Sequence, residues 1–126
     1  MERQVFSFLL CLFCSLRAPL MTVTAQPTVT ATILTPEADR KEGGMVHMRC
    51  VAYNVEPDQI VDWLIEMPFY TLRYNTSTIT TNRRFQFETT HMGNGEVVQD
   101  FRITDLHIED TNEYVCTVKY NISMAG

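Results

Sequence analysis

The residues of this chain best suited to chemistry are four cysteines, three histidines and fifteen carboxylates in 126 positions. Cys11-Leu-Phe-Cys14 has the spacing of a redox pair. Such a pair needs a thiolate stabilised at a helix start, and the wholly apolar setting raises a thiol pKa instead. His47, His91 and His107 stand apart, with no H-x-H or H-E-x-x-H spacing, so no metal site is expected. Asp58, Asp62 and Glu66 recur every four residues, which on a helix would align three carboxylates. The intervening Ile60-Val61-Asp62-Trp63-Leu64-Ile65 reads as a strand, so the spacing is incidental and a carboxylate-pair hydrolase is not expected. The Glu56-Pro57-Asp58 loop gives no better support to a calcium site.

The elements that position these residues begin after an export leader. Met1-Glu2-Arg3-Gln4 is short and polar, and Val5 to Leu16 is a twelve-residue apolar run stopped by Arg17 and Pro19. As a helix that run spans about 18 Å against a hydrocarbon core of about 30 Å, so it is read as a signal peptide and not a membrane span. Val23-Thr24-Ala25 supplies the small residues of a cleavage site before Gln26, giving residues 1–25 as leader and 26–126 as one domain. Cleavage removes Cys11 and Cys14, and the remaining Cys50 and Cys116 form an even pair in an oxidising compartment, which predicts one disulfide. Closing a loop of that length contributes roughly 4 kcal/mol in the chain-entropy model. Cleavage also takes Glu2, Arg3 and Arg17 from the totals of 10 basic and 15 acidic residues, leaving 8 and 14 and a net charge of −6. With no basic stripe beyond Arg40-Lys41 and Arg83-Arg84, nucleic acid is not an expected partner. The two serines left, Ser77 and Ser123, both lie in glycosylation sequons, and both cysteines are committed. No activated nucleophile of the usual kinds remains, so neither an enzyme, a cofactor nor a small-molecule substrate is expected.

From Thr28 onward, short β-rich runs alternate with turn signals, and helical periodicity is never sustained for three turns. Strands are predicted over 28–34, 45–52, 60–66, 69–74, 84–89, 97–103 and 113–120. Seven such runs suit a two-layer sandwich. Gly43-Gly44, Pro57-Asp58 and Pro68 mark the breaks, and His91 to Gly95 is the best hairpin tip because Asn-Gly favours a primed turn. Alternation assigns Val46, Met48, Cys50 and Ala52 to an inward face, with Val61, Trp63 and Ile65, Phe85 and Phe87, Phe101 and Ile103, and Tyr114, Cys116 and Val118. The disulfide would then cross the two sheets with Trp63 packed beside it.

Cys50, Trp63 thirteen residues later, and the run Phe101-x-Ile103-x-x-Leu106-x-x-x-Asp110-x-Asn112-x-Tyr114-x-Cys116 together resemble an immunoglobulin domain of the V or I set. The resemblance implies an all-β immunoglobulin-like sandwich in which the Tyr114 hydroxyl turns back to the backbone as a tyrosine corner and Arg84 pairs with Asp110 at one end. Asn112 stands where the family usually has Gly or Ala. Leu72 to Phe85 further resembles the matching stretch in the first domain of lachesin-like neural adhesion proteins of invertebrates. That family would imply a glycosylated cell-surface protein, often lipid-anchored, binding homophilically or to related immunoglobulin-domain proteins. No tether is read in this sequence.

After Tyr120 the chain gives only Asn121 to Gly126, where the family continues into a final strand G. The expectation is therefore a sandwich lacking that strand, with an open sheet edge; either the chain is a fragment or a partner supplies the strand. Asn75-Thr76-Ser77 and Asn121-Ile122-Ser123 predict glycans on exposed loops. On the sheet holding Trp63, the outward positions Asp62, Leu64, Glu66, Val115, Thr117 and Lys119, with Phe69, Tyr70 and Leu72 nearby, are expected to form an apolar patch rimmed by charge, a protein contact surface. The functional expectation is a non-catalytic extracellular recognition domain of an adhesion or receptor protein, the alternative being a freely secreted immune or signalling ligand.

Overall fold

The computed structural model describes residues 26–66 and 68–121, together with the backbone of residues 3–7. The strands are β1 (Arg3–Ser7), β2 (Thr28–Ile33), β3 (Val46–Tyr53), β4 (Gln59–Glu66), β5 (Phe69–Tyr74), β6 (Ser77–Thr78), β7 (Phe85–Gly93), β8 (Glu96–Ile103) and β9 (Glu113–Tyr120). One sheet runs β1-β9-β4-β5-β6 and the other β2-β3-β8-β7. All pairings are antiparallel. Two short 3-10 turns, Glu37–Asp39 and Ile108–Asp110, lie in the connections.

The β-branched and aromatic runs become strands, and turn chemistry ends them. β5 and β9 have the bounds the sequence predicts, whereas β7 runs on to Gly93, beyond the predicted Thr89. His91 therefore pairs with Val97 inside the ladder, and the hairpin tip is Asn94-Gly95 alone. Both tip residues have positive φ, +55° and +78°, as a two-residue type I′ turn requires. A Cβ on Gly95 would also lie 3.0 Å from the Val55 carbonyl oxygen, so glycine answers both demands there.

The facing sides of the two sheets enclose one core. Phe101 is its hub, with ring centroids of Trp63, Phe85 and Tyr114 at 5.4, 5.4 and 5.4 Å and Phe87 stacked on it at 4.5 Å. Fully burying one such ring stabilises the fold by about 1.5–3 kcal/mol through removal of apolar area from water. Cys50 on β3 and Cys116 on β9 are joined by a disulfide across the sheets, their Cα atoms 6.4 Å apart. Trp63 lies in the same core, and its indole N–H donates to the Gln99 carbonyl at 3.3 Å, tying β4 to β8.

The edge of β9 expected to stand open carries β1, with Arg3 to Ser7 registered against Thr117 to Glu113. An edge strand offers a row of unpaired N–H and C=O groups, and a short β-prone segment such as Val5-Phe6 satisfies them.

Candidate protein-contact face

The outer face of the β9-β4-β5 sheet is where the sequence places a contact surface, and register shows how its residues meet. Asp62 lies between Thr117 and Tyr74, Leu64 between Val115 and Thr71, and Glu66 opposite Phe69. The face is not open along its whole length. In the full chain, with β1 against β9, Leu64 is only 6% exposed and Asp62 0%, and Val115 is equally buried. The physical reason is position. They sit on β4 and β9, two of the three inner strands of the five-stranded sheet, β9 being flanked on its far side by β1, and alternation reports which face a side chain is on without reporting what covers it.

Asp62 shows the covering directly. Lys119 Nζ lies 2.7 Å from its Oδ2, the Asn75 amide donates to its Oδ1 at 3.2 Å, and the Lys119 ammonium is 5.4 Å from the centre of the Tyr74 ring. Burial pushes the Asp62 carboxyl up, and Lys119 and the Asn75 amide pull against it. Tyr74 in turn donates its hydroxyl to Asn121 Oδ1 at 3.2 Å.

Leu72 also differs from expectation. The β4–β5 register shifts between Trp63 and Leu64, so Arg73 faces Trp63, Thr71 faces Leu64, and Leu72 is the extra residue without an opposite number. It turns into the core. What remains accessible at the β4–β5 end is Phe69, 66% exposed on the outer face opposite Glu66, and Tyr70, 44% exposed but opposite Ile65 on the inward side; Glu66 is half-buried beside Phe69, while Thr117, opposite Asp62, and Lys119, opposite Ile60, are half-buried toward the other end of the face. Thr117 Oγ1 is buried with no hydrogen-bond partner among the described residues.

The framing residues converge elsewhere. Arg84 and Asp110 form a two-pronged ion pair at one end of the sandwich, and the Tyr114 hydroxyl donates to the Asp110 carbonyl at 2.5 Å. Burial pushes the Asp110 carboxyl up, but hydrogen bonds from Arg84 and from the His107 amide outweigh it, leaving the group below the ordinary carboxylate range. Burial raises the Tyr114 phenol. Asn75 and Asn121, expected on exposed loops, are both only partly exposed and stand at the opposite end.

Two polar clusters escaped the sequence reading. Gln99 is fully buried on the inward face of β8: its amide donates to the Val61 and Asn75 carbonyls at 3.1 and 3.0 Å and its Oε1 accepts from Thr89 Oγ1 at 2.6 Å. Its parity with Val97 and Phe101 was the available signal. On the outer face of the other sheet, Asp100 accepts from Arg49 Nε at 2.8 Å and lies 2.8 Å from His47 Nε2. Burial raises that carboxyl, and the Arg49 and His47 hydrogen bonds bring it below its usual range. No sequence signal announces this cluster, because cross-strand register cannot be read from one strand.

Solved structures of similar shape are immunoglobulin domains. A structure of Dpr1 IG1 bound to DIP-eta IG1 matches with a TM-score of 0.57 and 21% identity over 78% of this chain and 87% of that one. The RIG-5 IG1 homodimer matches with a TM-score of 0.52 and 16% identity over 71% and 84%. No family model and no curated protein matches. With the cross-sheet disulfide and the buried tryptophan, these likenesses define the class: residues 26–121 adopt an immunoglobulin-like sandwich.

Proposed function

We propose that the chain is an extracellular recognition domain that binds another protein and carries out no catalysis. The observation that carries this is that the two similar structures described above are IG1 domains, one bound to another IG1 domain and one in a homodimer. In this reading residues 1–25 are an export leader cleaved after Ala25, the β1 pairing belongs to the unprocessed chain, and the domain is secreted or displayed at the cell surface. The partner is a second copy or a related immunoglobulin-domain protein, as the likeness of Leu72 to Phe85 to lachesin-like first domains also suggests.

The contact centres on Phe69 with Glu66 beside it, Tyr70 at the adjoining end of the sheet, and Thr117 and Lys119 as polar positions further along the same face. The test is association of beads or cells displaying the protein, with itself and with candidate immunoglobulin-domain partners. Phe69→Asp abolishes association, while Thr30→Asp, at an exposed position on the outer face of the other sheet, leaves it intact. Undiminished association of Phe69→Asp removes this face from consideration.

A further inference from the structure

At the end of the sandwich away from Arg84 and Asp110, the β3–β4 loop, the β7–β8 turn and the ends of β5 and β9 enclose a cavity of about 310 Å³. That is the lower end of the ligand-sized range, about 300–1,000 Å³. Its lining mixes apolar residues such as Val55 and Pro57 with the carboxylates Glu56 and Glu96, with His91, and with Asn75 and Asn121, the asparagines of both sequons.

Asn75 is held unlike any other residue on this rim. It occupies a left-handed conformation at φ +54° in the turn between β5 and β6. Its N–H donates to Asp62 Oδ1 at 3.2 Å, and its carbonyl accepts from Gln99 Nε2 at 3.0 Å. With both backbone polar groups tied into the sandwich, the Cα–Cβ direction is fixed, and the residue lines the cavity. Thr76 and Ser77, the rest of the sequon, are exposed. Asn121 differs, since its Oδ1 already accepts the Tyr74 hydroxyl and its N–H donates to the Asp58 carbonyl at 2.8 Å.

We propose that Asn75 carries an N-linked glycan and that the first sugar, an N-acetylglucosamine, is seated in this cavity as part of the folded domain. The inference rests on the export reading. In the transfer, Asn75 Nδ2 attacks the anomeric carbon of a polyprenyl-diphosphate oligosaccharide. The N–C bond forms, the C–O bond to the diphosphate breaks, the lipid diphosphate leaves with the bonding electrons, and Nδ2 gives up one proton. The sugar ring then sets its C–H face against Pro57 and Val55 and its N-acetyl and hydroxyl groups toward His91 and Asn121. Later sugars leave past the exposed Thr76 and Ser77.

The test is expression of the full chain in glycosylating cells, with the secreted product read by intact mass and thermal melting. Ser77→Ala destroys the sequon without touching Asn75 and loses one glycan mass; Asn121→Gln keeps the Asn75 glycan. In the Asn121→Gln background, an endoglycosidase that leaves one N-acetylglucosamine preserves Tm, whereas an amidase that removes the whole glycan, or Ser77→Ala, lowers it by about 4–8 °C. A secreted chain with Asn75 unmodified overturns the glycan while leaving export intact. Equal Tm for the one-sugar and sugar-free forms overturns the seat. A chain retained in the cytosol with residues 1–25 still attached overturns the export reading, and the glycan with it.

Discussion

Arg84 grips Asp110 through both terminal nitrogens, Nη1 to Oδ2 at 2.6 Å and Nη2 to Oδ1 at 2.8 Å, bridging the start of β7 to the approach of β9. The same carboxylate accepts the His107 amide at 2.8 Å, and its residue's carbonyl receives the Tyr114 hydroxyl. Removing Arg84 leaves a buried carboxylate without its cation, the case that costs about 3–5 kcal/mol. Arg84→Ala is therefore expected to lower the urea midpoint steeply, and Arg84→Lys, which cannot make the fork, to fall between. Urea melts of the three proteins check the order.

The Cys50–Cys116 bridge spans a sequence separation of 66 and links the centres of the two sheets. A loop that long stabilises by roughly 4 kcal/mol in the chain-entropy model, a large part of the 5–15 kcal/mol typical of a domain. Cys50→Ala is expected to abolish export of soluble protein, read as the ratio of secreted to retained chain. Export at the wild-type level would show that the core alone carries the fold.

The inward pattern was legible because it depends only on period two and on spacing: Met48, Cys50, Trp63, Phe101 and Tyr114 lie where alternation puts them. The outer face was legible only as a face. Leu64 and Asp62 were assigned to the correct side, but their accessibility depends on Lys119, Tyr74 and the neighbouring strands, which a single strand's pattern does not contain. Leu72 was hidden by a bulge, a one-residue change of register with no signature in the residues themselves. Gln99 was passed over because a polar residue in an inward position reads as noise until its acceptors are known.

Gln99 yields a prediction of its own. Its amide satisfies the Val61 and Asn75 carbonyls inside the sandwich, and Thr89 Oγ1 donates to its Oε1 at 2.6 Å. Gln99→Leu keeps the volume and strands those carbonyls, a loss of about 1–3 kcal/mol. Hydrogen exchange is expected to quicken first at the Asn75 amide of the β5–β6 turn and the Ile79 amide just after β6, while the β3–β8 ladder stays protected. Uniform acceleration across both sheets would mean that Gln99 acts through global stability alone.

Asp62 and Asp110 are expected to move stability with pH in opposite directions. The Asp110 and Asp100 carboxyls are lowered in the fold, so their contribution is present above the unfolded carboxylate pKa of about 3.9 and is lost as pH falls through their folded values. Asp62 is raised, so its contribution is full below that unfolded value and is lost as pH rises through the folded one. Asp62→Asn keeps an acceptor for the Asn75 amide and frees Lys119, which is partly exposed and can turn to water. Its stability at neutral pH is expected within about 1 kcal/mol of wild type, because replacing a buried ion pair is often neutral. Lys119→Met, in contrast, leaves a buried carboxylate unpaired and destabilises at neutral pH by about 3–5 kcal/mol, most of it recovered where Asp62 is protonated. Urea midpoints of the two variants from pH 4 to 8 separate these behaviours: a Lys119→Met deficit that does not shrink toward low pH would mean that Lys119 acts by packing on Tyr74 and not by neutralising Asp62.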